Sequence, residues 1–200
     1  MAILSWRHIG SGLGALAIGL LFSFSGLSTA AGEGTPSLEK EAYGEYDVKA
    51  AYLMNFAKYV TWPEDAFEDD HAPLTVGVVG KNPFGEALKM LAKESELGGR
   101  SVEVRHGEDI ASLSGCHLLF VPATASEDLL ASLNDLAETP ILIVGEGPRF
   151  AKRGGIISFV IVRSKVKFEI NLAAARQRNL SVSSRLLKVA DKVHSQERSS

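Results

Sequence analysis

The sequence predicts a single α/β domain: a mixed, mainly parallel β-sheet flanked by helices, closing with a C-terminal hairpin and two short helices. Three observations carry this. Short apolar runs that read as strands buried on both faces (Leu74–Val79, Leu118–Val121, Ile141–Val144) alternate with segments of helical period. A near-continuous apolar run, Ile156–Val162, is followed after Arg163-Ser164 by strict alternation, with Val166, Phe168 and Ile170 facing one way and Lys165, Lys167 and Glu169 the other. That change of pattern across a two-residue gap is a hairpin. Finally, no internal repeat or second linker divides the chain.

The beginning does not read as fold. Arg7 lies in a weakly basic stretch, Leu13 to Phe24 is apolar, and the small residues Ser28-Thr29-Ala30-Ala31 follow. This is the pattern of a cleaved signal peptide, residues 1–31, and it predicts an exported protein. The competing reading is a membrane anchor, but the apolar stretch is short for a span and is interrupted by Gly14, Gly19 and Ser23. Residues 32–45 read as a disordered leader, 46–193 as the domain and 194–200 as a disordered tail.

Helical period starts near Tyr46, with Val48, Tyr52, Phe56 and Tyr59-Val60 on one side, and should stop at Trp62-Pro63, since a residue before proline leaves helical geometry. Glu64 to Ala72 is an acidic surface loop. After Leu74–Val79, Asn82 as cap and Pro83 as first residue predict a helix carrying Phe84, Ala87, Leu88 and Leu91 on one face. Gly98-Gly99 ends it, and Val102–Val104 is a short strand. Ser126 caps the next helix, with Glu127 and Asp128 in its positive first turn and Leu129, Leu130, Leu133 and Leu136 turned inward. Asn171 caps Leu172 to Arg178, Asn179 ends that helix, and Ser183 caps a last one whose inner face is Leu186, Leu187, Ala190 and Val193.

Composition restricts the partners. The 200 residues carry a formal net charge of −3, and loss of Arg7 with the leader makes it one unit more negative. No basic stripe could follow a phosphate backbone, so no nucleic-acid partner is expected. Cys116 is the only cysteine, which forbids an internal disulfide. It reads either as a small buried thiol beside a strand or as a contact for an intermolecular disulfide.

Catalytic patterns fail on inspection. Gly80–Gly85 follows a strand, where doubly wound folds bind anions, yet Glu86 and Ala87 stand where a phosphate loop needs lysine and a hydroxyl. A tight turn is the simpler reading, and Gly80, Asn82 and Gly145 are kept as a possible ligand crevice beyond the strand ends. No serine occupies a nucleophile elbow, and no histidine or cysteine pair has zinc-ligand spacing. Asp69-Asp70-His71 is a weak surface metal candidate that reads more simply as an exposed acidic turn. No enzyme activity, cofactor or metal is therefore expected.

The densest aromatic patch is Asn55-Phe56-Ala57-Lys58-Tyr59-Val60-Thr61-Trp62-Pro63. Phe56 follows the buried stripe, while Trp62 lies past the periodic region at a proline corner. It either fills the gap between helix and sheet or anchors a partner, so Tyr59, Trp62 and Pro63 are the partner-binding candidates.

Here the chain resembles the YfiR family. The resemblance runs through Val48-Lys49-Ala50-Ala51-Tyr52-Leu53, Asn55-Phe56-Ala57-Lys58-Tyr59-Val60, Trp62-Pro63 and Gly80-Lys81-Asn82-Pro83-Phe84-Gly85. It continues in Gly154-Gly155-Ile156-Ile157, Phe168-Glu169-Ile170-Asn171-Leu172 and Ser184-Arg185-Leu186-Leu187. It implies a non-catalytic periplasmic regulator that tends to form a homodimer. Such a protein holds down an inner-membrane diguanylate cyclase through the periplasmic region of that enzyme, and an outer-membrane lipoprotein can sequester it, raising cyclic di-GMP and promoting biofilm. Better-known members carry several cysteines thought to sense redox state, a property that Cys116 alone cannot reproduce within one chain. The alternative from another class is a periplasmic small-ligand binding protein, with an enzyme of unfamiliar type as a third.

Overall fold

Helix α1, Ser37–Tyr59, packs across one face of an eight-stranded sheet. The computed structural model describes residues 37–147 and 149–195, with side chains from residue 44 onward. The signal peptide, the first part of the expected leader and the last five residues lie outside these. The expected leader is helical from Ser37, where Glu39, Lys40, Glu41 and Ala42 are all strong helix formers. The helix also stops earlier than Pro63 requires. Val60–Thr61 (β1) leaves it to pair antiparallel with Ser181–Val182 (β9).

The main sheet is built from β2 (Leu74–Val79), β3 (Glu96–Leu97), β4 (Arg100–Gly107), β5 (Leu118–Val121), β6 (Leu142–Glu146), β7 (Ile157–Val162), β8 (Lys165–Asn171) and β10 (Lys192–His194). Their order across the sheet is β10-β8-β7-β6-β5-β2-β4-β3. Pairing is parallel except at β7–β8 and β3–β4. The mixed, mainly parallel sheet and the C-terminal hairpin match the expectation.

Alternation along the central strands divides the core into two layers. Leu118 and Phe120 of β5 join the α1 layer, with Leu53, Phe56, Val76, Phe159 and Phe168. Leu119 and Val121 join Leu113, Leu133, Ile143 and Phe150 on the opposite face. Phe56 lies at the centre of the first layer, 4.9 Å from the Phe168 ring and 5.5 Å from that of Phe159.

Several caps form as the residue types dictate. The Ser126 hydroxyl accepts from Leu129 N before α3 (Glu127–Ser132), the Asn171 side-chain Oδ1 from Ala174 N before α4 (Leu172–Gln177), and the Ser183 hydroxyl from Arg185 N before α5 (Ser184–Val189). Asn179 takes the left-handed conformation that ends the α4 segment.

Three further expectations change. The helix after β2, α2 (Ala87–Lys93), does not begin at Pro83, because Gly85 turns left-handed and Asn82 closes the preceding turn instead of capping. Gly98 and Gly99, both at positive φ, are the turn of a small hairpin between β3 and β4. The last helix ends at Val189, and Lys192–His194 becomes a strand laid parallel on β8, so Val193 is not on a helical face.

Candidate functional site

The two ends of the strands hold most of the chemistry of the described residues. At the N-terminal ends of β2 and β5, the loop after β1 is fastened over His117. The imidazole Nδ1 accepts from Thr75 N at 3.0 Å, and the partner of Nε2 is the Ala66 carbonyl at 3.0 Å. These two partners require the neutral tautomer with its proton on Nε2. Burial pushes the His117 pKa down. The Ala66 hydrogen bond opposes that shift, and the charges of Arg100 and Arg105 add to it. Phe67 stacks on the imidazole at 4.2 Å, and the Arg100 guanidinium lies 4.0 Å over the other partner of that stack, the Phe67 ring. Arg100 also donates to the carbonyls of Asp69 and Ala72, at 2.7 and 2.8 Å.

Trp62 belongs to this corner. Its indole Nε1–H donates to the His117 carbonyl at 3.2 Å and its ring meets Phe67 edge-on at 6.5 Å, while the side chain stays half-exposed. Tyr59 and Pro63 are half-exposed beside it, and the Tyr59 carbonyl accepts from Ser183 N at 2.9 Å. The three partner candidates follow closely in the chain, where the end of α1 passes into the β1–β9 ribbon. Asp69 spends a carboxylate oxygen on the amides of His71 and Ala72, each at 2.7 Å, so the acidic turn is held by its own side chain.

The crevice candidates do not come together. The sheet order reverses at β2 and β5, where an open α/β sheet offers a ligand crevice. Phe84 fills this place, 4.6 Å from Phe120 and 5.6 Å from Tyr46. Gly80 lies at the end of β2 with its carbonyl on the His106 ring. The Asn82 amide is used within its own turn, accepting from Phe84 N at 2.9 Å and donating to the Gly85 carbonyl at 3.3 Å. Gly145 is covered by the Phe150 ring, whose atoms lie 2.4–2.5 Å from where a Cβ would stand. A cleft of about 300 Å³ beyond β5 and β6 takes in Glu146, Arg149 and Arg153, without Gly80, Asn82 or Gly145.

Between these aromatics is a buried ionic cluster that sequence reasoning missed. The Lys49 ammonium, with its side chain 4 % exposed, pairs with Glu45 one turn back and with Glu146 at the end of β6, 6 % exposed. Glu146 also accepts from Ala123 N at 2.6 Å and from the Tyr46 hydroxyl at 3.3 Å. Lys49 lies over the Tyr46 ring at 4.5 Å. Burial raises the Tyr46 pKa, and the nearby Glu146 charge raises it further. The cluster fastens α1 to the carboxyl ends of the strands. It has the satisfied geometry of a clamp, with no nucleophile and base aligned for transfer.

Cys116 is buried, and Gly77 on β2 makes room for it: a Cβ there would stand 3.0 Å from the sulfur. Burial pushes its thiol pKa up, with Arg105 opposing weakly. Among the described residues no three His, Cys, Asp or Glu side chains gather as metal ligands, and no helix is long and apolar enough to cross a membrane.

No curated protein matches the chain. A solved structure, a conserved domain protein from Vibrio cholerae O1 biovar eltor strain N16961, aligns with a TM-score of 0.47 at 13 % identity, over 74 % of this chain and 60 % of that one. The chain therefore spans less than two thirds of that protein. The family model described as YfiR/HmsC-like matches residues 46–191. That match begins at Tyr46 in the buried cluster and ends at the residue before β10, and the chain belongs to the YfiR/HmsC-like family.

Proposed function

We propose that the protein is a non-catalytic periplasmic regulator that represses an inner-membrane diguanylate cyclase, or a similar membrane signalling enzyme, by binding its periplasmic region. The observation that carries this reading is family membership across nearly the whole described domain, which suggests a periplasmic regulatory role. The Trp62 corner adds a surface suited to such contact. A half-exposed indole held by a hydrogen bond loses little side-chain freedom when a partner covers it, and Trp is among the residues that dominate binding energy. Repression needs no catalytic group: a binder that favours the inactive state of its partner by about 3 kcal/mol shifts that equilibrium on the order of a hundredfold. The same reading includes a homodimer and an outer-membrane lipoprotein that draws the repressor away.

Deletion of the gene tests the proposal. Cyclic di-GMP should rise, and the rise should vanish when the partner cyclase is also removed. Complementation with Trp62→Ala should leave repression broken while the purified variant still melts cooperatively. Trp62→Phe, which keeps an aromatic ring against Phe67, should repress partially. Unchanged cyclic di-GMP in the deletion strain, under conditions where the protein is made, overturns cyclase control. Normal repression by a folded Trp62→Ala variant removes Trp62 from the interface.

A further inference from the structure

On the sheet face opposite α1, the segment after β4 and the segment after α3 enclose a cleft of about 450 Å³. Its buried floor is apolar, formed by Leu113, Cys116, Leu119 and Ile141, with Ile110 and Leu136 half-buried at its sides. This volume falls within the range of small-molecule sites, and the mostly apolar lining is what such sites share. Two charged side chains line it, Asp109 and Asp135, both exposed and both acidic. No lysine or arginine lines it: Arg105 is close enough to act on the Cys116 thiol, but it stands outside the lining, 3.7 Å from Glu103. Asp109 is held ionised by hydrogen bonds from Ser112.

We infer that this cleft is a binding site for a small apolar molecule with one cationic end, an amine whose body covers Leu119 and Ile141 while its charge lies between Asp109 and Asp135. The carboxylates select against anions, which they repel as they attract amines. The site is separate from the Trp62 corner and does not depend on the regulatory reading.

A matched pair of probes tests it on the purified mature protein. In low salt, 1-naphthylmethylamine should bind saturably and 1-naphthoic acid about tenfold more weakly, the difference expected when two exposed carboxylates act on opposite charges. The gap should shrink in high salt. Amide NMR shifts caused by the amine should centre on residues 109–116 and 132–141. Ala111 lines the cleft and is exposed, so Ala111→Trp should block it and weaken the amine by at least about tenfold without changing the fold. Asp135→Asn, a surface change, should narrow the amine–acid gap even if the bulkier variant proves unstable. Absence of binding, equal affinity for the two probes, or shifts centred elsewhere overturns the inference.

Discussion

The two ends of the parallel sheet are closed in opposite ways. At the carboxyl ends, where this architecture usually leaves room for a ligand, α1 is bolted down by full charges: Lys49 between Glu45 and Glu146. At the amino ends a neutral imidazole does the same work, with His117 joining Thr75 and Ala66 under the loop that begins at Trp62. The charged clamp is strong only as a complete set, because a buried ion that loses its partner keeps its desolvation cost. The neutral clamp is vulnerable to protons, because a protonated imidazole can no longer accept the Thr75 amide. Stability and pH response are therefore assigned to different ends.

Breaking the charged end should have the largest effect. Lys49→Met leaves Glu146 buried beside Tyr46 and should cost about 3–5 kcal/mol in denaturant unfolding. Adding Glu146→Gln should recover part of that loss. Additive losses in the double variant would show that the two side chains are not energetically coupled.

The neutral end should yield a smaller effect with a pH signature. His117→Leu strands the Thr75 amide and the Ala66 carbonyl, at about 1–3 kcal/mol near pH 8. The folded pKa of His117 lies below its ordinary value of 6.5, so below pH 6.5 the unfolded chain takes up a proton that the folded chain resists. The stabilising contribution of His117 is complete above that pH and is lost progressively as pH falls toward the folded value. Melts from pH 8 to pH 5 should show a decline that His117→Leu flattens. An equal decline in both proteins would remove His117 as its source.

The smallest effect is at the β7–β8 turn, which projects beyond the carboxyl ends but contributes no group to either clamp, and it serves as a control. Arg163 and Ser164 form the β7–β8 turn with φ of 50° and 58°, a left-handed pair that asparagine and glycine adopt more easily. Arg163→Asn with Ser164→Gly should stabilise the protein by about 1 kcal/mol. The gain should be the same at pH 5 and pH 8, and a pH-dependent gain would mean that the turn is coupled to one of the clamps.

How much of this was legible depended on where each residue's partner lies. The strands β2 and β5 match their apolar runs residue for residue, because a strand covered on both faces leaves a continuous signal. The caps at Ser126, Asn171 and Ser183 were equally readable, since a cap bonds within three residues of itself. By contrast β1, β3, β9 and β10 are two or three residues long, with no period to detect, and all but β3, an arm of a local hairpin, exist through distant partners. Lys49 did leave a trace. It stands on the stripe of Leu53, Phe56 and Val60, a charge at a buried position, but its partner Glu146 is remote in sequence and ends an apolar strand. At the candidate surface the proline corner correctly singled out Trp62 as lying beyond the helix. Its hydrogen bond to the His117 carbonyl depends on the fold and had no sequence signal.

The position of α1 also has a consequence in time. Phe56 belongs to the first helix, but its ring rests on Phe159 and Phe168, roughly a hundred residues later, and the same helix meets α5 near the end of the domain. A chain delivered N-terminus first therefore presents α1 long before the surface that buries it exists. Its apolar stripe must wait for the β7–β8 hairpin, making it a natural hold for a chaperone and a site of misassociation if the last third is delayed. A truncation that removes the hairpin should lose the first helix as a folded element along with the last strands.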